Sequence, residues 1–556
     1  MLSRLALLAY AAKLIRMHDA VAPEAPFSKR TLATLALASS PTRGEASLIA
    51  TSSLLTILSF PDFHLWFLAW IGLVPLLVVV SQTSNARSAF LLGWFWGVIF
   101  FYGSCWWLTY PIIHYGHISP WLAYPLLLLP VALAAVFPAL FCVLLHRLVA
   151  RFGLGAIFLA PLIWISVEFA RFAVTGQLWN AIGYSQAFHP LLIQSARWGG
   201  VYAVGFLIVA VNAAMALAFL RRKPNETMSI LVVLFTFLFV GIAALREDPI
   251  RDLSGGPAPL IVAVQPNVPM EGLDDAAMEQ LLNRHIELST QGLAAIGDGT
   301  NSPRLIIWPE SPMNFSYSRD PHLRKIVGSF AKAERASILL NSLEPAPNGG
   351  DYNSAVMVNE EGRIVAQYDK IRLMPFGEYV PLPQWLPGAS SVRGIVGDFT
   401  PGSSYTLMPL GALRAGVFIC IESAHPSIAR RFANESADVL INISNDGYLG
   451  PTPVMRQHLS NAIFRAVEND RTVMRVTNSG ISALIEPDGH ISDVTGGFEP
   501  AVRTWRTGNT SEGTTFYTRH GDVFIYGCAL ISLGFISATF ITRRKRLRNS
   551  VSEARP

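Results

Sequence analysis

Glu310, Lys370 and Cys420 are the residue types needed for acyl transfer through a thiol, and each closes a short apolar run. Arg304 to Trp308 leads to Pro309 and Glu310, Arg363 to Tyr368 leads to Asp369 and Lys370, and Leu413 runs into Cys420. A thiol attacks as its thiolate, so a neighbouring carboxylate such as Glu310 can serve as the base. Attack on an ester or amide carbonyl builds an oxyanion, which the Lys370 ammonium and the backbone N–H of Ile421 would stabilise. Taken singly, each residue has a plainer reading: a buried small hydrophobe, a solvated strand-end lysine, a surface acid. The other cysteines, Cys105, Cys142 and Cys528, lie in strongly apolar stretches, so Cys420 has no disulfide partner in the polar part of the chain. The cysteines show no metal-ligand spacing, and no metal or cofactor is expected.

The elements that must position these residues alternate between strand and helix. Strands are expected at 259–264, 304–308, 337–341, 354–358, 363–368, 413–420, 439–444, 472–477 and 481–485. Helices are expected at 275–296, where Met278, Leu281, Leu282, Ile286 and Leu293 keep helical spacing, and at 321–336. The turn Asn359 to Gly362 reads as a hairpin link. The pattern predicts an α/β domain with a sheet core, whose strand ends present polar groups to a cleft.

Composition places that domain beside a membrane. The chain has 556 residues, 51% hydrophobic and only 15% charged, against about 25% charged in soluble domains; its mean hydropathy is +0.38. The net charge of +5 gathers in small clusters beside apolar runs, which is no nucleic-acid footprint. A span needs about 20 residues to cross a core about 30 Å thick. Seven are expected at 46–60, 64–81, 88–109, 121–146, 154–173, 194–220 and 227–245, and an eighth at 523–541. The expected organisation is an N-terminal cytoplasmic extension (1–45), a membrane domain (46–245), a catalytic domain (246–522), the last span and a basic tail (542–556). Residues 2–17 are too charged to span; they read as an amphipathic surface helix or as an extension upstream of a start at Met17, since no small-residue cleavage site clearly follows for a signal peptide.

Basic residues fall on alternate loops: Lys29, Arg30 and Arg43, then Arg87, Arg147 and Arg151, Arg221 to Lys223, and Arg543 to Arg546. With eight spans all lie on one side, so both termini face the cytoplasm and the large domain faces outward. Within the apolar region Glu168 and Arg171 share a helix face and are expected to neutralise each other. Trp106, Trp107, Trp121 and Trp179 read as an interfacial belt. The amide- and glycine-rich stretch from Thr175 to Gln186 is expected to leave the membrane and roof a site.

Five stretches, Ile306 to Glu310, Tyr368 to Lys370, Pro375 to Pro381, Gly416 to Glu422 and Asn442 to Asp446, resemble the carbon–nitrogen hydrolase (nitrilase) superfamily. With the flanking spans and motifs such as Gly93 to Gly97 and Gly183 to Gln186, the chain resembles the apolipoprotein N-acyltransferase family within it. That resemblance implies a Glu–Lys–Cys triad at Glu310, Lys370 and Cys420, supporting glutamates at Glu378 and Glu422, and a four-layer α-β-β-α sandwich. It departs at Ile421, where the family usually has an aromatic residue, and at Gly272 to Asp275, where a tryptophan is common. The activity implied is N-acylation of the terminal diacylglyceryl-cysteine of lipoproteins through a thioester, with a phospholipid donor, an apolipoprotein acceptor, no cofactor and a monomer in the bacterial inner membrane. The alternative is a membrane-tethered amidase or nitrilase hydrolysing small amides, against which seven spans ahead of the domain weigh, since one would tether it. A transporter or structural protein with a degenerate outer domain is a further alternative, weighed against by all three triad types standing at strand ends.

Overall fold

The computed structural model describes residues 41–221, scattered residues from 232 to 240, and 250–553 apart from 253–256, 297–301, 348, 381–398, 507–508 and 512. The N-terminal extension to residue 40, most of the expected span 227–245 and Pro381 lie outside the described residues.

Among the described residues, 5 helices are long and apolar enough to cross a membrane: Ala86–His114, Pro120–Phe152, Leu154–Thr175, Ala196–Arg221 and Val523–Phe540. We number helices in chain order: α1 (Arg43–Leu58), α2 (Val74–Gln82), then four of these as α3 to α6, and Val523–Phe540 as α11. The first two expected spans are not among these helices. α1 has 16 residues and is tied to its neighbours by buried hydroxyls: Ser52 donates to the Gly72 carbonyl at 2.6 Å and Ser53 to that of Trp96 at 3.2 Å. The second is broken near Leu73, where buried Asn212 of α6 accepts from the Leu73 N–H (2.8 Å) and donates to the Ala69 carbonyl (2.9 Å). Satisfying backbone groups freed by a helix break is what makes such a break tolerable in an apolar layer. α3 and α4 meet through Gly93 and Gly97. A Cβ at Gly93 would lie 2.6 Å from the Pro138 carbonyl oxygen, and one at Gly97 2.8 Å from the Ala135 Cα, so only glycine permits this approach.

Glu168 and Arg171 face each other's opposite charge, as expected, and each also holds the segment that follows. Glu168 accepts from the Ile182 N–H at 3.0 Å, and Arg171 donates to the Gln177 carbonyl at 3.1 Å. One expectation for this region needs correction: not all four tryptophans form an interfacial belt. Trp121 is 92% exposed, but Trp107 is buried. Both Trp107 and Trp179 donate their indole N–H to Gln457, at 3.1 and 2.9 Å. Their polar edges serve the polar domain instead of lipid headgroups.

The polar part of the chain contains two six-stranded sheets. In the first, β1 (Leu260–Gln265), β2 (Arg304–Ile307), β3 (Ser337–Ala346), β4 (Gly350–Val358) and β5 (Ile364–Asp369) lie side by side in chain order. β1 to β3 run parallel and β3 to β5 antiparallel. In the second, β6 (Leu407–Leu410), β7 (Leu413–Ile419), β8 (Val439–Ser444) and β9 (Val473–Thr477) are followed by β10 (Ala483–Ile485) and β11 (Ile491–Ser492). β12 (Ala501–Arg506) returns to pair antiparallel with β1. Every residue of β1, β8 and β9 is buried, which is why apolar residues stand on both faces of these strands, with buried Asn442 and Arg475 among them. One face of the first sheet (Ile261, Ala263, Leu305, Ile307, Leu339) shares a core with Val417, Ile419, Leu440 and Val473 of the second. Its other face (Val262, Val264, Ile306, Ile338, Leu340) packs on α7 (Asp275–Ile296) and α8 (Pro321–Glu334) through Leu281, Leu282, Leu323 and Val327. α9 (Pro426–Asn434) and α10 (Val454–Asn469) follow β7 and β8.

Candidate active site

The carboxyl ends of β2, β5 and β7 deliver the three residues singled out by sequence. Glu310 follows β2 by three positions, Lys370 follows β5 directly, and Cys420 follows β7 directly. Lys370 is 1% exposed, and its Nζ donates to Glu310 at 3.1 Å and to Glu378 at 3.0 Å. Burial alone would lower its pKa, but the charges of Glu310, Glu378 and Cys420 hold it well above that of a free lysine. The ammonium is thereby held between two carboxylates.

Cys420 opens a single 3-10 turn, Cys420–Ala424, with φ at +52°. This left-handed backbone is costly for any residue with a Cβ, and such strain gathers at functional sites. The turn points the chain sharply away from β7 and leaves its first N–H groups, including that of Ile421, without partners inside the turn. Burial, followed by the charge of Glu310, pushes the Cys420 thiol up, while Lys370 pulls the other way. The resting sulfur is protonated, and attack requires a base at hand.

Glu310 and Glu378 are locked by a residue that the sequence did not reveal. Asn353 on β4 donates to Glu310 at 2.9 Å and to Glu378 at 2.6 Å. Its side-chain oxygen Oδ1 accepts from the Asn341 side-chain amide at 2.7 Å. The second oxygen of Glu310 accepts from the Asn445 N–H at 3.1 Å, and that of Glu378 from the Met374 N–H at 2.7 Å. Glu422 stands apart from this cluster of carboxylates. It is fully buried and accepts from the N–H groups of Ile371 (2.8 Å), Arg372 (3.0 Å) and Ile419 (2.8 Å) and from the Tyr368 hydroxyl (2.9 Å). It fastens the 3-10 turn of Cys420 to the chain that follows Lys370, and it does so through backbone N–H groups.

The membrane domain reaches this site directly. Tyr115 donates to the Gly447 carbonyl at 3.2 Å and stacks on Tyr448. The expected roof, Thr175 to Gln186, lies against α10: Trp179 faces the His458 ring at 5.5 Å, and Arg465 donates to the Tyr184 hydroxyl. Among the described residues no cluster of His, Cys, Asp and Glu is arranged to hold a metal ion.

Known proteins match this arrangement along nearly the whole chain. Residues 52–214 match the apolipoprotein N-acyltransferase N-terminal domain, and residues 277–504 match carbon-nitrogen hydrolase. The apolipoprotein N-acyltransferase of Geobacter metallireducens is 31% identical over 90% of this chain and 95% of its own length. That of Allorhizobium ampelinum is 34% identical over 74% of this chain and 78% of its own. The chain belongs to the apolipoprotein N-acyltransferase family. An amidase from Nesterenkonia sp. is similar at 17% identity and a TM-score of 0.35, over 49% of this chain and 99% of that one.

As a member of the apolipoprotein N-acyltransferases, the protein carries a nitrilase-type domain and several apolar helices fit for a membrane domain. Asn353, Asn445 and the buried set beneath Cys420 (Asn442, Asp446, His458 and Arg475) were invisible as functional residues in the sequence. Only the motif from Asn442 to Asp446 hinted at them. Glu378 gives a direct test of the cluster. Glu378→Gln keeps the shape but replaces one of the two carboxylates on Lys370. We expect turnover to fall by about tenfold or more while the thermal midpoint stays close to that of the unaltered protein. Turnover within twofold of normal would remove Glu378 from the site.

Proposed function

We propose that this protein N-acylates the α-amine of the N-terminal diacylglyceryl-cysteine of lipoproteins, taking the acyl chain from a phospholipid. In the first half-reaction Glu310 takes the thiol proton as the Cys420 sulfur attacks the acyl ester. The ester C–O bond breaks, Glu310 returns the proton to the glycerol oxygen, and a lysophospholipid leaves. In the second, the lipoprotein amine attacks the thioester, Glu310 takes a proton from nitrogen, and the C–S bond breaks to restore the thiol. Lys370 and the Ile421 N–H face the oxyanion in both steps, and Glu378 keeps Lys370 in place. Such double use of one site is economical, because each half-reaction passes through the same tetrahedral geometry.

The observation that carries this reading is the seating of the nucleophile's support helix on the apolar helices. Gln457 of α10 holds Trp107 and Trp179, and the adjacent His458 meets Cys420. A thiol placed there works at the surface where both lipid-anchored substrates lie, which raises their effective concentration. The same reading has eight spans, with 46–245 and 523–541 in the bacterial inner membrane. The catalytic domain, 246–522, faces outward, and both termini, 1–45 and 542–556, lie in the cytoplasm. Its two sheets, packed on each other with helices outside, form a four-layer α-β-β-α sandwich, and one chain suffices for activity.

Intact-mass analysis tests the mechanism. Protein incubated with phospholipid alone should gain one fatty-acyl mass that hydroxylamine removes. A peptide with a free diacylglyceryl-cysteine amine should then discharge it, whereas an N-blocked peptide should not. Acylation that hydroxylamine leaves intact, or discharge by the blocked peptide, would rule out the thioester route.

A further inference from the structure

Beneath Cys420 lies a buried polar chain that the triad leaves unexplained. The His458 ring is 3% exposed. Its Nε2 lies 3.0 Å from the Cys420 carbonyl oxygen and its Nδ1 2.7 Å from Asp446 Oδ1. Asp446 is fully buried, and its other oxygen accepts from Arg475 at 3.0 Å. Arg475 also donates to Asn442, whose amide donates to the Phe418 carbonyl at 3.2 Å. A carboxylate and a peptide carbonyl are both acceptors, so each ring nitrogen bonds its partner only by donating. Burial alone would raise the Asp446 pKa, but His458 and Arg475 hold it below the usual carboxylate value. The anion that faces the ring is thereby kept charged.

The Cys420 carbonyl belongs to the same peptide unit as the Ile421 N–H. Hydrogen bonding at one end of a peptide polarises the other end, and the effect is larger in a low-dielectric interior. A charge-assisted donor at the oxygen is about twice as strong as a neutral one. We propose that His458 is a positioning residue for acyl transfer: donating to the Cys420 carbonyl, it orients and polarises the Cys420–Ile421 peptide so that the Ile421 N–H becomes a strong oxyanion donor. The inference rests on the thioester reading above, in which that N–H faces the oxyanion. It also accounts for the strained backbone at Cys420, since the carbonyl of a residue with φ at +52° needs an anchor to hold it there. Asp446 and Arg475 complete the device by fixing the ring from behind.

The test compares two reactions of the same sulfur in full-length protein held in phospholipid-containing micelles. Acylation by phospholipid builds an oxyanion. Alkylation of Cys420 by iodoacetamide, a displacement at a saturated carbon, does not. In His458→Gln a side-chain amide can still donate to the carbonyl, but without charge and without the Asp446 anchor. We expect acylation of Cys420 to slow by about tenfold or more, a fraction of what loss of an oxyanion donor costs. The phospholipid concentration at half-maximal rate and the alkylation rate should stay within about threefold of normal. Asp446→Asn, which leaves the ring in place but removes the anion, should show the same split and serves if His458→Gln fails to fold. Acylation undiminished in both variants overturns the inference alone. So does a parallel loss of acylation and alkylation, which would put His458 to work on the thiol or the fold. Unaltered protein that gains no acyl mass overturns the thioester reading and this inference with it.

Discussion

Cys420→Ala protein, incubated with phospholipid, should gain no fatty-acyl mass and make no N-acylated peptide at any acceptor concentration. The loss should be complete because, in the proposed reaction, the thiol forms the bond that carries the acyl chain between half-reactions, and the other three cysteines lie in apolar helices. Cys105 and Cys142 lie in the membrane helices α3 and α4, and Cys528 lies in α11. The fold should survive, since replacing Sγ by hydrogen at a residue of a buried turn removes little volume, and Glu422 still fastens the backbone on either side. The measurement is intact mass together with the thermal midpoint. An acyl adduct on the alanine variant, at whatever residue, would show that the chain travels by another route.

Glu310→Gln should be nearly as damaging, but its residual activity should carry a signature. Burial first, and the charge of Glu310 second, push the Cys420 thiol above its ordinary value, so near neutral pH the sulfur is protonated. Glutamine cannot take that proton. Acylation at pH 7 should therefore drop by a factor on the order of 10² to 10⁴, the usual worth of general-base help. What remains depends on spontaneous thiolate. A raised pKa means that the thiolate fraction keeps growing about tenfold per pH unit through and beyond the ordinary thiol value of about 8.5. The residual rate should climb accordingly, whereas the unaltered protein, with its own base, should respond far less steeply. A flat residual rate between pH 7 and 9, or an undiminished one, would take the base role from Glu310.

Two of the strands that carry the triad were legible as buried apolar runs: β2 is buried beyond Arg304 and β7 is buried except at Arg414, and each ends at a group foreign to a core. β5 was legible from its β-branched and aromatic residues, although Ile364 and Val365 are exposed. β12 was missed for the opposite reason. Ala501 to Arg506 mixes two arginines and a threonine with three apolar residues, only Trp505 is buried, and its place in the sheet comes from backbone pairing with β1. Asn353 and His458 could not be assigned either. An asparagine within a strand and a histidine within a helix declare nothing locally; their roles arise from partners 43, 25 and 38 positions away. The belt reading of Trp107 and Trp179 failed by a similar route. Indoles at the ends of apolar runs suit a headgroup layer, and nothing in the local sequence distinguishes that layer from the polar side chain of Gln457.

Gln457 and His458 are neighbours on one helix, yet they answer to different halves of the molecule. Gln457 accepts from Trp107 and Trp179 and donates to Asp62 and the Ser104 carbonyl, drawing on separate stretches of the membrane domain. His458 holds the nucleophile's peptide. A gene fragment encoding only residues 246–522 would sever every one of the first set. It would also lay bare Leu449 and Val454, which pack against Trp107, and Phe464, which packs against Tyr184. Water would meet apolar surface on the very helix that steadies Cys420, at about 25 cal/mol for each Å² uncovered. The carbon–nitrogen hydrolase half should thus not be a portable module. Trimming this enzyme to a soluble reagent would require re-surfacing α10 first, and a bare excised domain that still took up an acyl chain would show the two halves to be mechanically independent.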